Sequence, residues 1–162
     1  MQLIVMRHGI AVDRAIGESD TERVLTPKGR QRTQAIAQWL KHRWQHWDVL
    51  LSSPLVRAQQ TATILREAGL VVDVEVMDAL APGGSFQELV TWQSVRPDAS
   101  TVAIVGHQPD LGNWIELAVW GQASGRVQLK KAGVAVVDFP TGRMWLGGGV
   151  LCEVWTPKGM LG

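Results

Sequence analysis

Apolar residues fall in short blocks along the chain, and the spacing inside each block predicts an element. Residues 2–6 form a β-branched run, the pattern of a strand buried on both faces. Residues 13–23 are polar and mixed in charge and predict a surface loop. Thr26 and Pro27 then open a helix: Thr26 can cap it, and Pro27 suits the first helical position, where its missing N–H loses no partner. Ile36, Trp39, Leu40 and Trp47 keep helical spacing and give that helix one buried face. Residues 48–52 predict a second strand, and Ala58, Thr61, Ala62 and Leu65 the inner face of a second helix. Val72, Val74 and Val76 alternate with charged residues, as in a strand with one wet face. After a turn at residues 82–85, Ser85 caps a short helix carrying Phe86, Leu89 and Val90.

Residues 101–105 are the third apolar strand and the fourth strand in all, followed by Leu111, Trp114, Ile115 and Ala118 at helical spacing. The tail changes character. Residues 134–139, 143–146 and 150–155 read as strands joined by turns rich in Gly and Pro, an antiparallel continuation. The expected fold is α/β with three αβα layers: a mainly parallel sheet, helices on both faces, and antiparallel strands at the C-terminal end. No repeat, low-complexity block or linker interrupts the pattern, so residues 1–162 read as a single domain.

Composition narrows the function. Apolar residues are 46% and charged residues 19% of 162, a globular balance. Sixteen basic against fifteen acidic residues leave a net charge of +1, which argues against nucleic acid as the partner but allows a local basic site. No apolar run approaches the ~18 residues of a membrane span. The run at residues 3–6 is too short for a signal-peptide core, and Arg7 and His8 end it, so the expected location is cytoplasmic with no membrane partner. A lone cysteine, Cys152, leaves no internal disulfide and no cysteine zinc site; its apolar strand predicts an inert core thiol. Eight Trp and no Tyr is an unusual balance with no functional account.

In an open α/β sheet the ligand crevice lies beyond the carboxyl ends of the strands. Arg7 and His8 directly follow the first strand, Ser52, Ser53 and Arg57 the second, and Gly106 and His107 the strand at 101–105. Three separate segments thus deliver two Arg and two His to one end of the sheet, with Gly9 allowing close backbone approach. Guanidinium forks match phosphate oxygens, and a neutral imidazole can attack phosphorus and carry the phosphoryl group covalently. No carboxylate stands beside these residues in sequence, so nothing is expected to neutralise the site, and the expected occupant is phosphate or a similar anion. No acidic cluster or P-loop pattern suggests a metal or a cofactor.

Arg7-His8-Gly9 after a short strand resembles the signature of the histidine phosphatase superfamily, which includes the cofactor-dependent phosphoglycerate mutases. Three further blocks resemble that family in order: residues 25–29 with Gln34-Ala35, residues 52–58 with Gln60-Thr61-Ala62, and residues 105–109. The small size and residues 80–84 look most like its SixA subgroup, the protein phosphohistidine phosphatases. The resemblance implies a phosphoglycerate mutase-like fold and a metal-independent phosphatase acting through a phosphohistidine intermediate. His8 would be the nucleophile, Arg7 and Arg57 would bind phosphoryl oxygens, and His107 would complete the catalytic pocket, with Gly9 beside the substrate. Larger members carry a general-acid carboxylate after the third strand, and here residues 77–84 offer none at that place. Asp78, Glu88 and Asp13 are insecure substitutes, and Ile10 stands where SixA relatives often carry an acid.

A missing acid suits a leaving group that departs easily. An imidazole leaves protonated near neutral pH, with an ordinary pKa of about 6.5, whereas a sugar alkoxide needs a proton in the transition state. The missing acid fits what the resemblance implies, phosphohistidine on a signalling protein as substrate. The rivals are a small-molecule phosphomonoesterase or mutase of the same fold, and a catalytically silent phosphate-binding module. Residues 10–24 and 82–86 would form an open rim, where Arg14 and Arg23 are read first as a solvated loop. His42 and His46 have metal-ligand spacing without a third ligand. Arg126, Lys130 and Lys131 are read as a solvated basic face.

Overall fold

The computed structural model describes all 162 residues. Strands β1 (Gln2–Arg7), β2 (Val49–Ser52), β3 (Val74–Val76), β4 (Thr101–Gly106), β5 (Val134–Asp138) and β6 (Val150–Trp155) form one sheet in the order β3-β2-β4-β1-β5-β6. The first four in that order run parallel, β5 is antiparallel to β1, and β6 is antiparallel to β5. Helices α1 (Pro27–Arg43), α2 (Val56–Glu67), α3 (Phe86–Ser94), α4 (Asp110–Trp120) and α5 (Pro157–Leu161) cover it. This is the expected three-layer α/β architecture with its antiparallel continuation.

The period of two along β1 separates the two cores. Leu3 and Val5 face a cluster with Leu89, Leu111, Trp114 and Ile115 from α3 and α4. Ile4 and Met6 face the opposite cluster, with Ile36 and Leu40 from α1, Ala58 and Leu65 from α2 and Met160 from α5. Both faces are buried, so the β1 run is apolar throughout rather than alternating. Thr26 caps α1 by accepting from the Gly29 N–H at 2.9 Å, with Pro27 in the first turn and Lys41, His42 and Arg43 in the last.

Several expectations are corrected. The α1 helix ends at Arg43, so Trp47 does not lie on it; Trp47 is buried from the following loop, its N–H donating to Leu70 O at 2.7 Å. No strand forms at residues 143–146. That stretch is a turn closed by Gly147 at φ +76°, and Met144 turns inward, its N–H donating to Gln93 Oε1 at 3.0 Å. Of the three valines expected on the buried face of the third strand only Val74 packs against the core, and it is half-buried; Val72 lies outside β3, and both Val72 and Val76 are exposed on this edge. Cys152 is exposed rather than in the core, because β6 is the opposite edge strand and Val150, Cys152 and Val154 share its open face.

Register aligns the chemistry. Arg7 pairs with Gly106 across β1 and β4, and Ser52 pairs with Val105 across β2 and β4. The residues that follow these strands therefore emerge side by side at one sheet edge.

Candidate active site

His8 follows β1, and three contacts hold it. Its backbone N–H donates to Gly106 O at 3.1 Å, tying it to the end of β4. Its Nδ1 lies 2.7 Å from Gly9 O, and its Nε2 lies 3.2 Å from Arg57 Nε. A carbonyl only accepts and a guanidinium only donates, so Nδ1 carries the proton and Nε2 presents its lone pair. Gly9 is the hinge of this arrangement. Its N–H donates to Thr61 Oγ1 at 3.0 Å, and a Cβ there would lie 2.4 Å from Thr33 Oγ1. Gly9 thus orients the imidazole and leaves no room for a side chain.

Arg57 sits in the first turn of α2 and is only 4% exposed; His8 and His107 are 5% and 4% exposed. The two imidazole rings stand 5.1 Å apart at 52°. His107 follows β4, and its Nε2 lies 2.7 Å from Ser53 Oγ, which also accepts from the Leu55 N–H at 3.2 Å. His107 Nδ1 is buried with no partner. Arg7 donates from Nη1 to Leu129 O at 2.9 Å, and its buried Nε has no partner either. The structure brings together Arg7, His8, Gly9, Arg57 and His107, as their positions after three strands predict.

Burial and cationic neighbours set the charge of the pocket. Burial above all pushes the His8 imidazole down to about 3, with His107, Arg57 and Arg7 adding repulsion against the Gly9 hydrogen bond. Burial likewise pushes His107 down to about 4, with Arg57 next among the causes that lower it. Burial and then Arg57 lower the Arg7 guanidinium below its ordinary range. Both imidazoles are therefore neutral at pH 7, among cations that repel further positive charge.

One expectation about this charge is wrong: a carboxylate does stand here. Asp20 Oδ2 pairs with Arg57 Nη2 at 3.0 Å, and Asp20 O accepts from Arg57 Nη1 at 2.7 Å. Asp20 lies in a 3-10 turn, Asp20–Glu22, inside the loop read as solvated surface. Arg23 is part of the same device, donating to Asp20 Oδ1 at 2.9 Å and to Val12 O at 2.7 Å. Arg14 instead donates within its own loop, to Glu18 O at 3.1 Å. The signal for the turn was present: Ser19 caps it, and Asp20 and Arg23 stand three apart. The partner Arg57 lies 37 residues on, which no local pattern reveals.

The hydrogen bond from Arg23, then that from Arg57, holds the Asp20 carboxyl below the usual carboxylate range, against the opposing effect of burial. Asp13, Asp78 and Glu88 are all exposed, and none bonds to the pocket side chains. No group of three or more His, Cys, Asp and Glu lies close enough to hold a metal, and His42 and His46 are exposed near the end of α1.

Residues 3–96 match the family model of the histidine phosphatase superfamily, branch 1. The chain belongs to the histidine phosphatase superfamily. Within it, the chain is 46% identical over 137 residues to an uncharacterised protein of Picosynechococcus, covering 83% of this chain and 82% of that one. It is 33% identical over 123 residues to the phosphohistidine phosphatase SixA of Escherichia coli K12, covering 69% of this chain and 70% of that one. Its fold superposes on a SixA protein histidine phosphatase complexed with tungstate, with a TM-score of 0.84, 25% identity and 98% of each chain covered. Arg7, His8 and Gly9 line the pocket of this superfamily member, and Asp20 and Arg23 form part of its rim.

Proposed function

We propose that this protein removes the phosphoryl group from phosphohistidine on a signalling protein in the cytoplasm, with His8 as the covalent nucleophile. The observation that carries this reading is the protonation pattern of the pocket. Nε2 of His8 holds its lone pair ready, and the carboxylate at the site, Asp20, is held ionised by two arginines. An ionised carboxylate cannot protonate an alkoxide, so the leaving group has to depart on its own basicity. An imidazole protonated while it carries the phosphoryl group does so, because it leaves as the neutral base. The kinship with SixA supports the same choice.

In the first step Nε2 of His8 attacks phosphorus, the N–P bond to Nε2 forms, and the N–P bond of the substrate breaks. The leaving imidazole departs as the neutral base after arriving protonated. Arg57 Nε–H, which now holds the Nε2 lone pair, turns to a phosphoryl oxygen as that lone pair is used. Arg7 Nε and His107 Nδ1, buried donors at the pocket that have no partner, supply further contacts to the oxygens. For His107 this requires Ser53 O–H to donate to Nε2, leaving the proton on Nδ1. In the second step water attacks phosphorus and passes one proton to a phosphoryl oxygen, the bond to Nε2 breaks with its electron pair returning to a neutral His8, and dihydrogen phosphate leaves. The arginines supply the positive charge for both steps, so neither step calls on a metal.

The test is phosphate release from a phosphohistidine-bearing protein, with a sugar phosphate as control substrate. Wild type is expected to release phosphate from the protein, with at least about a thousandfold loss in His8→Ala and little turnover of the sugar phosphate. Turnover of the sugar phosphate alone would replace this reading with a small-molecule phosphatase. No release from either would leave a silent phosphate-binding module.

A further inference from the structure

Five cationic side chains meet in a cleft of about 580 Å³ next to the catalytic pocket. They are Arg7 at the end of β1, Arg32 on α1, Lys130 and Lys131 in the loop before β5, and Lys158 in α5. Ile10 also lines the cleft, and no acidic residue does. None of the five takes part in an ion pair; the four ion pairs of the molecule use Arg23, Arg43, Arg57 and Arg96. The net charge of the whole chain is only +1, so this excess is local rather than a general property of the surface.

The position of the cleft gives it meaning. The register pairs Met6 with Val134 and Val134 with Trp155, so the starts of β5 and the end of β6 lie at the same sheet edge as Arg7. The catalytic pocket occupies the β2–β4 side of Arg7, and the cleft occupies the β5–β6 side. Arg7 is common to both. A macromolecule that presents a phosphoryl group to His8 therefore lays its flank across the cleft.

We infer that this cleft is a docking groove for an acidic segment of the phosphoprotein substrate, with carboxylates beside the phosphohistidine meeting Arg32, Lys130, Lys131 and Lys158. This rests on the phosphohistidine reading above and deepens it, because it names the chemistry of the substrate around the reacting residue. Charge complementarity favours this occupant: uncompensated cations repel one another, and an acidic flank relieves that repulsion and steers encounter. The long aliphatic stems of the lysines, with Ile10, give the flank an apolar bed as well.

The experiment uses the whole protein and two phosphohistidine peptides that differ only in their flanks, Asp and Glu in one, Asn and Gln in the other. Wild type is expected to show a KM about tenfold lower for the acidic peptide at low salt, with similar kcat, and the advantage is expected to shrink as salt rises. The triple variant Lys130→Ala, Lys131→Ala, Lys158→Ala is expected to erase the advantage and leave turnover of the neutral peptide unchanged. In parallel, calorimetry measures binding of the unphosphorylated acidic peptide and of inorganic tripolyphosphate. Wild type is expected to bind the peptide, and the triple variant about tenfold more weakly. Equal KM values for the two peptides overturn the inference, as does a preference that survives in the triple variant. Binding of tripolyphosphate without the peptide assigns the cleft to a small polyanion and overturns it too. If neither peptide is hydrolysed, the phosphohistidine reading fails, while the binding arm still decides the groove.

Discussion

Asp20 is the residue that most changes the picture of the pocket. It takes both terminal nitrogens of Arg57 by its carbonyl and its carboxylate, so it occupies part of the fork that a phosphoryl group needs. A dianion entering the site meets this negative charge directly. The Asp20 side chain is 37% exposed, so water screens much of the repulsion and the effect is modest. Asp20→Asn keeps the shape and removes the charge. It is expected to tighten inhibition by inorganic phosphate by about threefold to tenfold. Steady-state inhibition of wild type and variant checks this, and weaker inhibition in the variant would show that Asp20 serves mainly to order Arg57. Asp20 was not legible in the sequence, because an exposed Asp in a mixed-charge loop has no local mark of a partner so far along the chain. His8 was legible because it directly follows a buried strand, and Arg57 because it opens the helix that comes just after one, where the fold leaves few places to go.

At the scale of elements, legibility followed burial. β1 and β4 are buried on both faces, and a continuous apolar run announces them. The edge strands β3 and β6 are half solvated, so their valines carry no reliable orientation, and the apolar run around Cys152 predicts an inward side chain while its thiol faces out. The loop after α4 shows a different device. Glu116, buried on α4, accepts from the backbone N–H groups of Ser124, Gly125, Arg126 and Val127, and from the Ser124 hydroxyl at 2.9 Å. These bonds, the Ser124 N–H foremost, push its carboxyl down to about 2. They brace the segment that ends at Leu129, whose carbonyl accepts from Arg7. Glu116→Gln puts an amide NH2 among those donors and removes the charge. Faster hydrogen exchange at residues 124–127, a Tm lower by several degrees, and a lower kcat/KM through a looser Arg7 are expected. Unchanged exchange there would mean that the loop holds itself.

Over the whole molecule, the pocket makes stability depend on pH in a window that carboxylates do not reach. His8 and His107 titrate near 3 and 4 in the folded chain, against an ordinary value of about 6.5 once unfolded. Between those limits the unfolded chain binds protons that the folded chain refuses, so stability falls as pH drops and is flat above about 6.5. At about pH 5 each histidine accounts for about 2 kcal/mol of lost stability. Asp20 and Glu116, both lowered, lose stability in the same direction but only at more acid pH, below the ordinary carboxylate range. A fall between about pH 6.5 and pH 5 therefore belongs to the two imidazoles. Urea unfolding across that range is expected to show it in wild type, and His8→Asn with His107→Asn is expected to flatten it. Saturating phosphate is expected to shrink it as well, since an anion bound only by the folded chain stabilises that state and the positive imidazoles alike. A stability that stays level from about pH 7 to pH 5 in wild type would mean that the buried histidines accept protons after all, and that the lone pair on His8 is not held free by its surroundings.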